Sequence, residues 1–204
     1  MNFLAHCALA KDAAKTFDFD TDTLEGLLAG AVIGDFVKGR VPTDWPVALQ
    51  AGVRLHRKID AVSNRNNALQ GLSADYPAPV RRFAPIFLDL LADYCLASNW
   101  PDHYTYPLKP FSQDCYDAIA KHQSFLPDHG VRFFDYMQQQ DLLANYHQWA
   151  HVRRGIESVL RRLGRPELLD LAQDAMLAGE KDTAENLAEI LTGLREGWQD
   201  WSPL

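Results

Sequence analysis

Residues 21–37 read TDTLEGLLAGAVIGDFV, and this stretch sets the fold class. Its apolar residues recur at the spacing of an α-helix, and Asp20 precedes it as a typical helix-capping residue. Gly39 follows closely and is typical of a helix end. We therefore expect one helix over residues 21–37.

The rest of the chain has the same helical character, because no run alternates apolar and polar residues for long enough to predict a strand. Pro46, Pro79 and Pro166 stand where helices commonly begin, and Gly164 stands where one ends. Residues 100–110 form a loop rich in Pro, Tyr and His. The further expected helices cover 2–10, 46–62, 80–98, 111–123, 131–139, 141–163 (as one helix or two), 167–177 and 181–201. No interior linker marks a boundary, so we expect one all-α domain, a helical bundle over residues 1–204.

The composition is that of an ordinary globular protein, with 204 residues, 47% hydrophobic and 23% charged. No apolar run is long enough to cross a bilayer, and the N-terminus lacks the basic lead of a secretory signal. We expect a cytoplasmic protein without a membrane partner. Cys7, Cys95 and Cys115 are far apart and form no CxxC, which indicates buried apolar residues rather than ligands.

The charge is unevenly distributed along the chain. A net charge of −7 argues against nucleic-acid binding. Residues 38–82 nevertheless hold eight basic residues against three acidic ones, and a positive surface there would attract an acidic partner. The charge count alone equally favours solvated helix faces. The candidate contacts to a partner or its phosphate are Lys38, Arg54, Arg57, Arg81 and Arg82.

Six polar residues lie in apolar, helix-forming surroundings, where burial is costly without a partner. They are His6, Asp35, His56, Asp60, Asp89 and Asp93. His56 with Asp60, and Asp89 with Asp93, have the four-residue spacing that places two side chains on one helix face. Together the six could converge on a divalent cation inside a bundle. Singly, a buried histidine is more often a hydrogen-bonded core residue, and Asp35 could be a helix cap or turn residue.

Mixed imidazole and carboxylate ligands suit manganese, iron, zinc or magnesium, and the residues do not choose among them. Such an ion lowers the pKa of a bound water and stabilises the charge of a phosphoryl transition state. His147 and His151 are also four apart, but they lack the glutamate of a zinc-protease HExxH motif.

Four strings in order along the chain resemble those of the acyl carrier protein phosphodiesterases, also called acyl carrier protein hydrolases. They are MNFLAH at 1–6, GDFVKG at 34–39, LHRKID at 55–60 and LDLLADYCLASNW at 88–100. The resemblance implies a helical fold distantly related to the HD-domain phosphohydrolases. It also implies a metal-dependent enzyme of lipid metabolism, usually with manganese, that hydrolyses the phosphodiester joining 4′-phosphopantetheine to a serine of holo-acyl carrier protein.

By position, the resemblance implies a metal-binding role for the same six polar residues. We further expect catalytic roles for Asp35, Asp60 and Arg57, with Arg57 offsetting charge on the phosphate. Because acyl carrier protein is small and strongly acidic, the resemblance also gives the basic segment 38–82 a purpose. We expect manganese as the cofactor, with magnesium, iron and zinc as alternatives.

Two positions differ from the family's usual residues. Ser63-Asn64 stands where family members have Thr-Asp, and Asp93-Tyr94 stands where they have Asp-His. If these positions hold the metal, losing a carboxylate and an imidazole weakens metal binding. Two alternatives therefore accompany the leading hypothesis of a carrier-protein phosphodiesterase. One is a catalytically impaired relative that still binds the carrier, and the other is a phosphohydrolase for another small phosphoester.

Overall fold

The computed structural model describes residues 1–199 and 201. In that part of the chain there are thirteen α-helices and three short 3-10 helices, and there is no strand. The α-helices are Phe3–Thr16 (α1), Thr21–Ile33 (α2), Val47–Ser63 (α3), Asn67–Ala74 (α4), Ala78–Arg81 (α5), Ala84–Ser98 (α6), Trp100–His103 (α7), Leu108–Lys121 (α8), Asp128–Gln139 (α9), Leu142–Asn145 (α10), Trp149–Arg162 (α11), Leu169–Ala178 (α12) and Glu180–Glu196 (α13). The buried apolar residues form one cluster, which confirms the expected all-α domain. Its relation to HD-domain proteins stays a prediction, and Asp200 and residues 202–204 of the expected domain lie outside the described residues.

Helix α2 lies at the centre of the fold, because it is buried continuously over its last two turns and packs against α1, α3 and α8. The Asp20 carboxylate accepts a hydrogen bond from the Thr23 N–H, so the expected cap is present. The predicted helix over 21–37 was too long. The α-helix ends at Ile33 and the chain tightens into a 3-10 turn over Gly34–Phe36, which carries Asp35.

Glycines allow α2 and α3 to pack with their backbones in contact. A Cβ atom on Gly30 would lie 2.4 Å from the carbonyl carbon of Gly52, closer than any real side chain can approach. This close packing brings the end of α2, and the 3-10 turn after it, against the face of α3 that bears His56. The spacing of the two helices therefore positions the candidate site.

Helix α6 forms the other wall of the core and packs against α1, α4, α11 and α13. The predicted helix over 80–98 is divided into α5 and α6, with Pro85 in the first turn of α6, where a missing N–H costs nothing. The alternatives left open for 141–163 resolve as two helices, α10 and α11. The expected loop over 100–110 contains α7 and the start of α8, and the last helix ends at Glu196.

The expectation that the cysteines are buried apolar residues is confirmed. The three cysteines are free and buried. Trp198 and Trp201, near the end of the described chain, are buried at 2% and 9% exposure. Among the described residues, no helix is both long and apolar enough to cross a membrane.

Candidate metal centre

Three side chains from two helices meet in one group: His6 of α1, with His56 and Asp60 of α3. One donor atom from each lies within 4.8 Å of the others. The Asp60 carboxylate joins the two rings, with Oδ1 3.0 Å from His6 Nε2 and Oδ2 3.3 Å from His56 Nε2. The imidazole rings stack with their centroids 4.1 Å apart. We refer to these three residues as the His-His-Asp group.

The fold fixes the orientation of the His56 ring. Its Nδ1 lies 2.9 Å from the carbonyl oxygen of Ala31, so Nδ1 carries the proton and donates to that oxygen. With that bond made, Nε2 faces Asp60 and the interior of the group, the orientation found in histidines that bind metals. Gly34 gives the ring its space, because a Cβ at that position would lie 2.6 Å from His56 Cγ.

Asp35 stands at the open side of this group. Its Oδ1 is 3.7 Å from His56 Nε2, and its side chain is 52% exposed. Desolvation raises the pKa of the Asp35 carboxyl, while the nearby His56 and, more weakly, Arg162 of α11 oppose that rise. The carboxylate is therefore reachable from solvent and close enough to share an ion with His56.

Burial sets the protonation of the two histidines differently. It lowers the pKa of His6 to about 3, reinforced by the neighbouring His56, so that His6 is neutral near neutral pH. Burial also opposes charge on His56, but Asp60 and Asp35 outweigh it and raise the pKa of that ring. Desolvation likewise works against the Asp60 anion, yet its hydrogen bonds with both rings hold its pKa well below the usual range.

Asp89 and Asp93, the other expected ligands, lie outside this group. Asp89 Oδ1 accepts a hydrogen bond from the Met1 amino group at 2.7 Å. Asp93 is fully buried, and its two oxygens accept the backbone N–H groups of Leu4 at 2.7 Å and Ala5 at 3.1 Å. Asp93 thus caps the beginning of α1 from a neighbouring helix. These contacts do not support a ligand role for Asp93, and a ligand role for Asp89 stays a prediction.

The two residues that depart from the family's pattern have different surroundings. Asn64 is exposed at the end of α3, one turn beyond Asp60. Its backbone carbonyl oxygen accepts a hydrogen bond from the side-chain amide of Gln70. Tyr94 packs edge-on against Trp149 of α11, with ring centroids 5.3 Å apart. Desolvation raises the pKa of the Tyr94 hydroxyl and the adjacent Glu180 adds to that rise, so this side chain faces α11 and α13.

The expected basic contacts are partly engaged within the protein. Arg57 Nη2 donates to the Val37 carbonyl oxygen at 2.8 Å and so ties α3 to the segment that follows Asp35. Arg54 donates to Gln50, and Arg81 to the Tyr76 carbonyl oxygen. Arg82 lies over the Phe83 ring, and Lys38 is exposed. Arg57 and Lys38 are therefore the members of this set that the backbone places beside Asp35.

Sequence reasoning missed three contributors to the site. They are the Ala31 carbonyl that orients His56, the space at Gly34, and the charge of Arg162. A glycine directly before a candidate ligand is a signal that could have pointed to a close approach. No local sequence pattern could have linked Arg162 to Asp35, which lies more than a hundred positions earlier in the chain.

Taken together, the donors suit a divalent cation. One imidazole is neutral, the second is held with its Nε2 toward the centre, and one carboxylate stays ionised with a second beside it. Buried imidazole and carboxylate donors in this number are typical of manganese, iron and zinc sites. The arrangement can hold an ion that is open to a substrate on the side of Asp35.

Comparisons with known proteins agree on one family. The family model described as acyl carrier protein phosphodiesterase matches residues 1–194. Two curated relatives with that name come from Escherichia coli O139:H28 (strain E24377A / ETEC) and Escherichia coli O9:H4 (strain HS). Each is 30% identical over 175 residues, which is 82% of this chain and 81% of the relative. No solved structure matches this chain significantly.

Proposed function

Because this chain belongs to the acyl carrier protein phosphodiesterase family, we propose that it removes 4′-phosphopantetheine from the serine of holo-acyl carrier protein. The products are apo-carrier protein and free 4′-phosphopantetheine. The observation that carries the proposal is the His-His-Asp group with Asp35 beside it. A cytoplasmic location and a role in lipid metabolism, expected from the sequence, belong to the same proposal.

The donor set supports a divalent metal, with manganese as the first candidate and magnesium, iron or zinc as the others. His6, His56 and Asp60 would hold it, with Asp35 as a fourth donor. When bound, such an ion supplies a Lewis acid for the phosphodiester and lowers the pKa of water. Asp60 is suited to this role because its carboxylate stays ionised beside both rings.

The other residues at the opening would orient and neutralise the substrate. Asp35 is half exposed, so its carboxylate can accept a proton from a water that attacks phosphorus. Arg57 uses Nη2 to hold the Val37 carbonyl, and its guanidinium has further N–H donors for a phosphate oxygen. Lys38 stands in the same exposed segment and adds positive charge. Contacts of Arg54, Arg81 and Arg82 with the carrier stay predictions.

Substrate comparison tests this function against its alternatives. With manganese present, the wild-type protein should convert holo-carrier protein to the apo form, and a chelator should stop the reaction. Simple nucleotide phosphoesters offered in the same buffer should not be hydrolysed. Turnover of nucleotides without turnover of holo-carrier would instead indicate a phosphohydrolase for small phosphoesters. Metal binding and carrier binding without any turnover would indicate an impaired relative.

A further inference from the structure

The exposed face of α11 carries a concentration of arginines. Val152, Ile156 and Leu160 bury the opposite face of this helix in the core. On the outer face, a shallow depression of about 450 Å³ is lined by Arg154, Glu157, Ser158, Arg161 and Arg162. Four of these five, all but Glu157, are exposed. The face therefore presents three guanidinium groups to solvent on a protein whose net charge is −7.

Two of the three arginines have no ion-pair partner among the residues that the structure describes. Arg161 Nη2 binds Glu157 Oε1 at 2.8 Å, so its charge is largely matched. No such contact is found for Arg154 or Arg162 within residues 1–199 and 201. Arg161 and Arg162 lie in the last turn of α11, where the partial negative charge at the C-terminus of the helix stabilises cations. This stabilisation does not explain Arg154, which lies two turns earlier.

The packing of α11 places this face beside the candidate metal centre. Trp149 contacts Tyr94, and Gly155 lies against Leu90, so α11 runs antiparallel to α6. The last turn of α11 is therefore next to the beginning of α6, the half that carries Asp89. Arg162 is also close enough to Asp35 for its charge to act on that carboxylate. The row from Arg154 to Arg162 thus leads toward the open side of the His-His-Asp group.

We propose that the exposed face of α11, formed by Arg154, Ser158, Arg161 and Arg162, is the docking surface for the acidic face of the carrier protein. The inference rests on the proposed function for the identity of the partner. Guanidinium groups bind carboxylates in a bidentate geometry, and a row of them along one helix fits a row of acidic side chains on a facing helix. Docking there brings the carrier's phosphodiester toward Asp35, while the residues of the metal centre perform the chemistry.

Binding of apo-carrier protein tests the surface separately from catalysis, because the apo form has no bond to cleave. The test variant combines Arg154→Glu and Arg162→Glu. Its matched control combines Arg153→Glu and Arg165→Glu, which change the net charge equally on the same part of the chain. Arg153 is bonded to Gln173 of α12, and Arg165 to Glu167, so both side chains are engaged with residues outside the proposed surface. The pair Arg154→Ala and Arg162→Ala, with circular dichroism of every variant, keeps the test valid if charge reversal disturbs folding.

The expected result is a dissociation constant for apo-carrier at least about tenfold higher in the test variant than in the control. The salt dependence of binding should also flatten in the test variant, since fewer charge pairs remain to be screened. In the hydrolysis assay, the same variant should raise KM with less effect on kcat. Equal weakening in test and control variants would show an effect of net charge alone and overturn the proposal. So would wild-type affinity in the test variant. If the wild type binds apo-carrier through α11 but hydrolyses nothing, the docking surface stands and the proposed reaction fails.

Discussion

At the scale of single residues, Asp60 is the side chain on which the candidate centre depends. Its two oxygens contact both imidazoles, and those contacts keep it ionised. Asp89, which has the same kind of side chain on α6, is instead paired with the Met1 amino group. The structure therefore distinguishes two carboxylates that the sequence pattern treated alike.

Replacing these two carboxylates in turn tests that distinction. Asp60→Asn removes a charged donor to the metal, so it should reduce manganese affinity by more than about 100-fold. Losing a residue that only hydrogen-bonds to a metal ligand typically costs about 10- to 100-fold. Asp89→Asn should have a clearly smaller effect. Calorimetric titration of manganese into both variants measures the difference. A larger loss in Asp89→Asn than in Asp60→Asn would contradict the placement of the site.

The two departures from the family's pattern should also behave differently. Asn64 is exposed one turn beyond Asp60, so Asn64→Asp adds negative charge near the ion and should raise metal affinity a few-fold. Tyr94 packs on Trp149, so Tyr94→His should leave metal affinity unchanged and cost about 1 kcal/mol of stability through the lost aromatic pair. Titration of manganese and chemical denaturation of each variant check both expectations. A strong affinity gain from Tyr94→His alone would show that position 94 does reach the ion.

At the scale of secondary-structure elements, α1 depends on α6 for its first turn. Its N-cap residue, Asn2, makes no side-chain cap, and Asp93 supplies the acceptors instead. This matters for the site because His6 is in the second turn of α1. Burial raises the pKa of Asp93 to about 7, partly offset by the two backbone hydrogen bonds.

The raised pKa predicts a specific pH dependence. Because the folded-state pKa of Asp93 is above its unfolded value near 3.8, its contribution to stability is fully present below about pH 4 and is lost as the pH rises through about 7. Asp93→Asn should destabilise the fold by about 1–3 kcal/mol, since the amide nitrogen cannot accept an N–H. The gap between wild type and variant should be wider at pH 5 than at pH 8. Urea unfolding at both pH values measures it, and a gap that widens with rising pH would contradict the assignment.

The junction between α2 and α3 gives a prediction with a matched control. A methyl group at Gly34 would press on His56, so Gly34→Ala should shift the ring, weaken metal binding by about 10- to 100-fold and cost about 1–3 kcal/mol of stability. Gly71 of α4 faces open space, because a Cβ there would have no heavy atom within 4 Å. Gly71→Ala should therefore leave metal binding unchanged and be neutral or slightly stabilising. Thermal unfolding and metal titration compare the two, and equal effects would mean that Gly34 is not a packing requirement.

The elements also show what sequence reasoning could and could not reach. Apolar periodicity and the positions of proline and glycine are local, so they predicted the long helices and the start of α3 beside Pro46. They missed α4 and α7, whose short runs carry little periodicity. Four-residue spacing correctly paired His56 with Asp60 but could not tell a ligand from a cap at Asp93. That difference depends on which part of the backbone lies opposite the carboxylate. Opposite Asp93 lies the beginning of α1, where Ala5 is 88 positions away in sequence.

At the scale of the whole molecule, the charge of segment 38–82 is not a simple positive surface. Arg57 and Arg81 donate to backbone carbonyls, and Arg54 donates to Gln50. These contacts use part of the segment's charge to hold loops and helices in place. Arg162 of α11 acts on Asp35 from a different part of the chain, so the sequence alone could not relate the two regions.

We propose that the His-His-Asp group makes this chain a metal-dependent phosphodiesterase for holo-acyl carrier protein. The most direct measurement is mass spectrometry of holo-carrier protein incubated with wild type or with Asp60→Asn, with and without manganese. We expect loss of one 4′-phosphopantetheine from the carrier, and its appearance free in solution, only with wild type and manganese. Intact holo-carrier after incubation with metal-loaded wild type, or equal release by Asp60→Asn, would contradict it.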